Sequence, residues 1–364
     1  MELTARPGTD VGALVLACAR RTAGTAGTTG IAGTAGAAGT AGAAGAVDVA
    51  LAGPPEPVTA GYGRHAYACR LAGDPVPPWP TAVIARVAPA ADVRRERDWH
   101  ELCAAHACPV PPVLGLAGTD DPEGDGPAAI VLDPGPRQSL LERLGERPIA
   151  IPDLLRAMAG LHTRVHGVPV AAAPRSPDGD GAADPLAALD RALGAAAGLA
   201  DRFAAERAWL GAHVPEPGAP VVCHGDLQPA SVRLDGGDPA SAQVVNWSRA
   251  RVADAEYDLA LTLLVFWSVP YLAEGMGQRK LLKTVRDMLT DGYRTAYEAA
   301  RGVALDEGRL RYWGAYHAVD WSVRLATAEA AGGPADAWDP VALVHHPGPY
   351  RRDLARRVAR LTRG

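Results

Sequence analysis

Hydrophobic and polar positions along the chain fall into two regimes. Up to about residue 134 the apolar residues come in short runs suited to strands. VTAGYGRHAYACRLA (58–72) and TAVIARVAP (81–89) read as two strands separated by a Gly/Pro loop, and PAAIVLDP (127–134) as a buried strand closed by proline. A helix over 92–106 sits between them, with Asp92 as its predicted N-cap and Trp99, Leu102, Cys103 and His106 on one face. From about residue 136 helical spacing takes over. Residues 139–144, 151–166 and 185–213 read as helices, short strands return at 220–246, and helices run to the C-terminus. A β-rich first part followed by a helical second part predicts an α+β architecture of two lobes.

The N-terminal region adds two pieces. Residues 11–21 are predicted to form a short helix. Residues 22–46 repeat alanine, glycine and threonine, with glycine at every third position from Gly24 to Gly45. Collagen needs proline at the other positions, and none is present. Each glycine costs a helix about 1 kcal/mol, so this stretch reads as a linker. The predicted organisation is a helix (1–21), a linker (22–46), a β-rich lobe (47–134) and a helical lobe (135–364).

Composition narrows the functional classes. Hydrophobic residues make up 48% and charged residues 21% of the 364 residues, which predicts a soluble globular protein. No apolar run approaches the ~20 residues of a spanning helix, so no membrane partner is expected. A net charge of −5 argues against nucleic acid. The five cysteines show no CxxC pair and no metal-ligand spacing, and Glu2 and Asp10 precede the apolar patch at 11–19. Both features predict a reducing, cytoplasmic setting without a signal peptide. The arginine-rich stretch 351–363 reads as a last helix with a solvated face. His162 and His166 read as helix-surface or packing residues. Trp247, Trp267, Trp313 and Trp321 read as core.

The chemistry gathers at 221–246. Val221, Val222 and Cys223 form a short apolar strand, and His224-Gly225-Asp226 follows on a loop. VRLD (232–235) and AQVVN (242–246) flank Gly236-Gly237-Asp238-Pro239, which is turn chemistry. A hairpin folded near 238–239 sets Ser231 opposite Asn246, just beyond Asp226. A carboxylate and two oxygen-bearing side chains then converge, as a metal–phosphate site with a nearby base requires.

HGDLQPAS (224–231), NWSRA (246–250) and ADAEYDLA (253–260) together resemble the aminoglycoside phosphotransferase family, relatives of the protein kinases. The likeness spans about residues 55–330. It implies a two-lobed protein-kinase-like fold with a nucleotide-binding first lobe. It also implies transfer of phosphate from ATP or GTP to a small-molecule hydroxyl. Asp226 takes the place of the base, supported by His224 and by Asp258. Gly61 and Gly63 sit where a hairpin covers the phosphates. Arg86 sits at the strand cation and Glu96 at the helix acid that braces it. Val131, Leu132 and Asp133 sit at the adenine hinge.

Three positions depart from that pattern. The strand lysine is Arg86, and no lysine precedes Lys280. Arginine keeps the charge and grips phosphate. The metal-binding positions are Ser231 and Asn246, both neutral, so Mg²⁺ binding is expected to be weak. The alternatives are a pseudokinase that binds nucleotide, a ligand or a protein partner without transfer, and a biosynthetic kinase for a peptide hydroxyl.

Overall fold

The computed structural model describes residues 10–26, 49–58, 65–73, 79–119, 126–146, 151–174, 184–194, 196–235, 238–268, 279–330 and 347–363. The chain opens with α1 (Val11–Ala26), capped by the Asp10 carboxylate, which accepts the Ala13 N–H at 2.9 Å. Such a cap contributes about 1 kcal/mol. The helix runs five residues into the stretch read as linker, and residues 27–46 lie outside the described residues.

Strands β1 (Ala50–Leu51), β2 (Glu56–Pro57), β3 (Ala66–Ala72) and β4 (Ala82–Pro89) follow. Next come α2 (Ala90–Ala105), β5 (Val113–Ala117) and β6 (Pro127–Leu132). They make one antiparallel sheet in the order β1-β3-β4-β6-β5, with β2 also on β3. Alternation along each strand gives the sheet two apolar faces. Val83, Ala85, Val87 and Val131 face outward beneath Val15, Cys18 and Ala19 of α1. Ile84, Ile130 and Leu132 face inward with Ala90 and Val93 of α2 and with Val245 of the second lobe.

Asp92 does not cap α2. The helix begins two residues earlier, after Pro89, and Asp92 falls in its first turn. Its buried face is Val93, Glu96, Trp99, His100 and Cys103, while His106 is the exposed C-terminal residue and Leu102 is half-buried. The buried stripe is centred N-terminal of the predicted one, at 93, 96, 99–100 and 103, and so takes in Glu96.

The second lobe begins with β7 (Gln138–Ser139), α3 (Leu140–Glu146) and α4 (Ile151–His166). The predicted long helix at 185–213 is three: α5 (Pro185–Gly194), α6 (Leu199–Arg202) and α7 (Ala204–Ala212). Gly198, at φ +78°, breaks the run. After β8 (Pro220–Cys223), β9 (Val232–Leu234), β10 (Gln243–Val244) and β11 (Arg251–Asp254) come α8 (Ala255–Ser268), α9 (Arg279–Arg301), α10 (Glu307–Ala330) and α11 (Pro347–Arg363). Every residue of α8 is buried, so it is the axis around which the lobe packs. Trp247, Trp267 and Trp321 are core, and Trp313 is partly buried, its indole N–H 3.2 Å from Asp254. All five cysteines are buried free thiols. Among the described residues no helix is long and apolar enough to cross a membrane.

Candidate active site

The site is built on β8, whose end releases the chain into the loop at 224–231. β8 pairs antiparallel with β11, Cys223 opposite Arg251, so the loop leaves the strand beside the residues that lead into β11. Gly225 has φ +77°, and a Cβ there would sit 2.2 Å from the Arg249 carbonyl oxygen. Only glycine lets the loop pass.

Behind the loop lies Asp258, fully buried in the first turn of α8. Its Oδ2 accepts the His224 N–H at 2.7 Å and its Oδ1 the Gly225 N–H at 2.9 Å. Two histidines of α4 close in on the same carboxylate, His162 Nε2 at 3.1 Å and His166 Nε2 at 3.4 Å from Oδ2. Burial alone raises the pKa of the Asp258 carboxyl. The histidines overcome that and hold it well below the ordinary value. Of the two readings of His162 and His166, surface or packing, the surface one is therefore corrected. Both are buried polar partners, aligned by their spacing of four on one helix face. That spacing was visible in LHTRVH, but its carboxylate lay 92 residues away.

His224 is fully buried and holds the loop's shape. Its Nδ1 accepts the Asp226 N–H at 3.2 Å, so Nε2 carries the proton and donates to the Val245 carbonyl at 3.1 Å. Burial lowers its pKa to about 4, so the ring is neutral near pH 7.

Asp226 is half-buried on the open side of the loop. Oδ1 accepts the Gln228 side-chain amide at 2.9 Å, and Oδ2 lies 3.3 Å from the Asn246 amide nitrogen. Gln228 was not singled out in the sequence, although it lies in the same loop. Asn246 has φ +70°, a left-handed conformation that Asn and Asp tolerate best. Its Oδ1 accepts the Ser248 hydroxyl at 2.8 Å.

The hairpin register corrects the predicted pairing. Val232 faces Val244 and Arg233 faces Gln243, which sets Ser231 opposite Val245, not Asn246. The Val245 N–H donates to the Ser231 carbonyl at 2.9 Å. Ser231 does not converge on Asn246. Its hydroxyl turns into the loop, accepting the Gln228 N–H at 2.9 Å and lying 3.0 Å from the Asp226 and Gln228 carbonyls. Arg249 approaches Asp226 from the other flank and lies 3.7 Å from Asp320 of α10. Burial opposes its charge, and Asp320 and then Asp226 favour it.

On the first lobe, Arg86 Nε donates to Glu96 at 2.8 Å, and both side chains are almost wholly buried. Burial pushes the Glu96 carboxyl up, against the pull of Arg86 and of the Trp247 backbone N–H. The Arg95 guanidinium links the helix that carries Glu96 to the turn after Asn246 by donating to the Ser248 carbonyl at 3.2 Å. Leu132 lines the inner face of the sheet, but the Val131 side chain points to the opposite face, beneath α1. The Asp133 N–H donates to the Pro112 carbonyl at 3.0 Å, and its side chain accepts the Gly135 N–H at 2.8 Å. Gly61 and Gly63 lie outside the described residues.

Comparison with known proteins places this geometry. The family model of the phosphotransferase enzyme family matches residues 57–318. An aminoglycoside 3'-phosphotransferase of Streptomyces fradiae is 34% identical over 213 residues, 54% of this chain and 74% of that protein. The crystal structure of an aminoglycoside-3'-phosphotransferase of type VIII superposes with a TM-score of 0.52 at 20% identity, covering 72% of this chain and 92% of the other. Amicoumacin kinase hAmiN superposes with a TM-score of 0.51 at 12% identity, covering 85% and 89%. The fold is that of the kinase-like phosphotransferases, and the chain belongs to the phosphotransferase enzyme family.

Proposed function

We propose that this protein binds ATP or GTP and transfers phosphate to a hydroxyl of a small molecule, with Asp226 as the base. The observation that carries this reading is one juxtaposition. Asp226 faces the open side of a loop pinned from behind by Asp258, and the helix that carries Glu96 of the buried Arg86–Glu96 pair reaches the Asn246–Ser248 turn through Arg95, which donates to the Ser248 carbonyl. Aminoglycoside phosphotransferase and amicoumacin kinase relatives support the acceptor class. The amicoumacin kinase structure holds AMP-PNP and Ca²⁺, which supports a nucleotide.

The bound nucleotide supplies the phosphoryl group. Arg86 Nε is engaged with Glu96, which leaves the terminal guanidinium nitrogens as phosphate donors. Leu132, Ile84 and Val245 offer an apolar wall for a base. Asp226 orients the acceptor hydroxyl and takes its proton. Gln228 and Asn246 hold the two carboxylate oxygens in place.

The donor set does not fit Mg²⁺. That ion takes oxygen ligands in a strict octahedron and is usually held by one or two carboxylates. Ser231 Oγ is engaged with the loop backbone, Asn246 Oδ1 with Ser248, and both Asp226 oxygens with amides. This observation favours a second reading, a pseudokinase that binds nucleotide and a ligand without transfer.

Thermal melts with ATP or GTP, with and without Mg²⁺, measure binding. Phosphate-transfer assays against hydroxylated amines and antibiotics then separate the readings. Turnover in the native chain that Asp226→Asn abolishes supports the enzyme. Turnover only in Asn246→Asp supports the pseudokinase. No melt shift with any nucleotide overturns both.

A further inference from the structure

We propose that His162, His166 and Asp258 form a transition-metal site of the class that takes Zn²⁺, joining α4 to the first turn of α8 behind the loop. The three ligand atoms lie within 4.8 Å of one another. The Asp258 Oδ2 distances, 3.1 Å to His162 Nε2 and 3.4 Å to His166 Nε2, match two edges of a zinc tetrahedron, while the third, between the two histidines, is held within 4.8 Å. Ligands held roughly 2.0–2.2 Å from a tetrahedral ion lie about 3.3 Å from each other.

Hydrogen-bond direction separates an ion from a simple Asp–His contact. His162 Nε2 is wholly buried and close to Oδ2, yet it makes no aligned hydrogen bond. Its outward axis passes beside the oxygen. A ring nitrogen ligating an ion aims in that way at a point flanking the carboxylate. Acceptor capacity argues the same. Oδ2 accepts the His224 N–H at 2.7 Å and pairs with His166 Nε2 at 3.4 Å, so its two lone pairs are engaged and the buried His162 Nε2 is left without a hydrogen-bond partner. With one ion in place of the two imidazole protons, Oδ2 serves one N–H and one metal.

The surroundings fit a ligated pair. His162 Nδ1 lies 2.7 Å from the Tyr293 hydroxyl and His166 Nδ1 2.6 Å from the Tyr297 hydroxyl. Metal-bound imidazoles almost always donate their other N–H in this manner, which fixes the tautomer and ring orientation. Two histidines four apart on one helix face are a recurring zinc pair. Two imidazole nitrogens and one carboxylate suit Zn²⁺ and disfavour Mg²⁺ and Ca²⁺, which take oxygen ligands. Water supplies the fourth position. This site is separate from Asn246 and does not depend on phosphoryl transfer. It positions the loop, because its carboxylate is the one that holds the His224 and Gly225 N–H groups.

The test uses untagged full-length protein, stripped with a chelator and reloaded with Zn²⁺ or Mg²⁺ alone. Elemental analysis is expected to find about one zinc per chain, and the melting temperature to rise with Zn²⁺ and not with Mg²⁺. Co²⁺ in its place should give the visible bands of a tetrahedral site. In His166→Gln the stoichiometry falls to near zero. In Tyr297→Phe, which keeps all three ligands, affinity falls about 10–100-fold. Absence of stoichiometric zinc overturns the proposal. So does zinc retained in His166→Gln or, if that variant does not fold, unchanged affinity in Tyr297→Phe.

Discussion

Two carboxylates flank the same loop and meet opposite fates. Asp258, behind it, is wholly buried and surrounded by two backbone N–H groups and two imidazoles. Asp226, in front, is half-buried and held by two neutral side-chain amides. The buried carboxylate had to be compensated for the fold to form, since an isolated charge in the interior is costly. The front carboxylate is under no such demand. Residues around it can change without unfolding the chain. The back of the loop is scaffold, and the front is free of that demand.

Acid should bring the largest change, because it acts on several groups at once. Burial lowers His100 to about 3, and His224 and His317 to about 4. Between pH 6.5 and 4 the unfolded chain takes up protons that these buried rings refuse. Stability is therefore complete above about pH 6.5 and falls as pH drops toward 4, by about 1.4 kcal/mol per unit for each histidine. Urea titrations across that range read the slope. A flat profile would break the claim that these histidines are buried as neutral rings.

Asp258→Ala comes next. It strands two loop N–H groups and two histidines, and a loss of about 3–5 kcal/mol is expected in denaturant unfolding. Glu96→Ala leaves Arg86 buried and unpaired, with a cost of about 3 kcal/mol and weaker nucleotide binding in melts. Ser231→Ala removes a hydroxyl that closes the loop, with an expected loss of about 1–2 kcal/mol. If Ser231→Ala instead left stability untouched and changed only metal response, Ser231 would belong to the front of the loop. Asp226→Asn should move stability least, within about 0.5 kcal/mol, while removing any transfer activity. A large stability loss there would erase the contrast between the two carboxylates.

Much of this was legible in the sequence because it is local. Strand alternation marked β3, β4 and β6, the spacing of apolar residues marked α4, and HGDLQPAS marked the loop. Arg86 and Glu96 were named together, ten residues apart, and the structure sets them 2.8 Å apart. The hairpin register was missed by one residue. Its turn contains the 3₁₀ segment Pro239–Ser241, and the Val244 N–H is fixed by the Pro109 carbonyl at 2.8 Å from another part of the chain. A shift of one residue reverses which side chains face a site. It is why Ser231 was expected beside Asn246 and instead closes its own loop.

The chain by itself determined the two-lobed pattern and the place of the loop, since these follow from residue type and near neighbours. Only the tertiary structure decided that Asp226 is held by Gln228 and Asn246, that Val131 turns beneath α1, and that His162 and His166 meet Asp258. Apart from the Asp226–Gln228 bond, those contacts join segments far apart in sequence. The meeting of the histidines with Asp258 is set by how α4, α8 and α9 pack, and no local pattern carries that information.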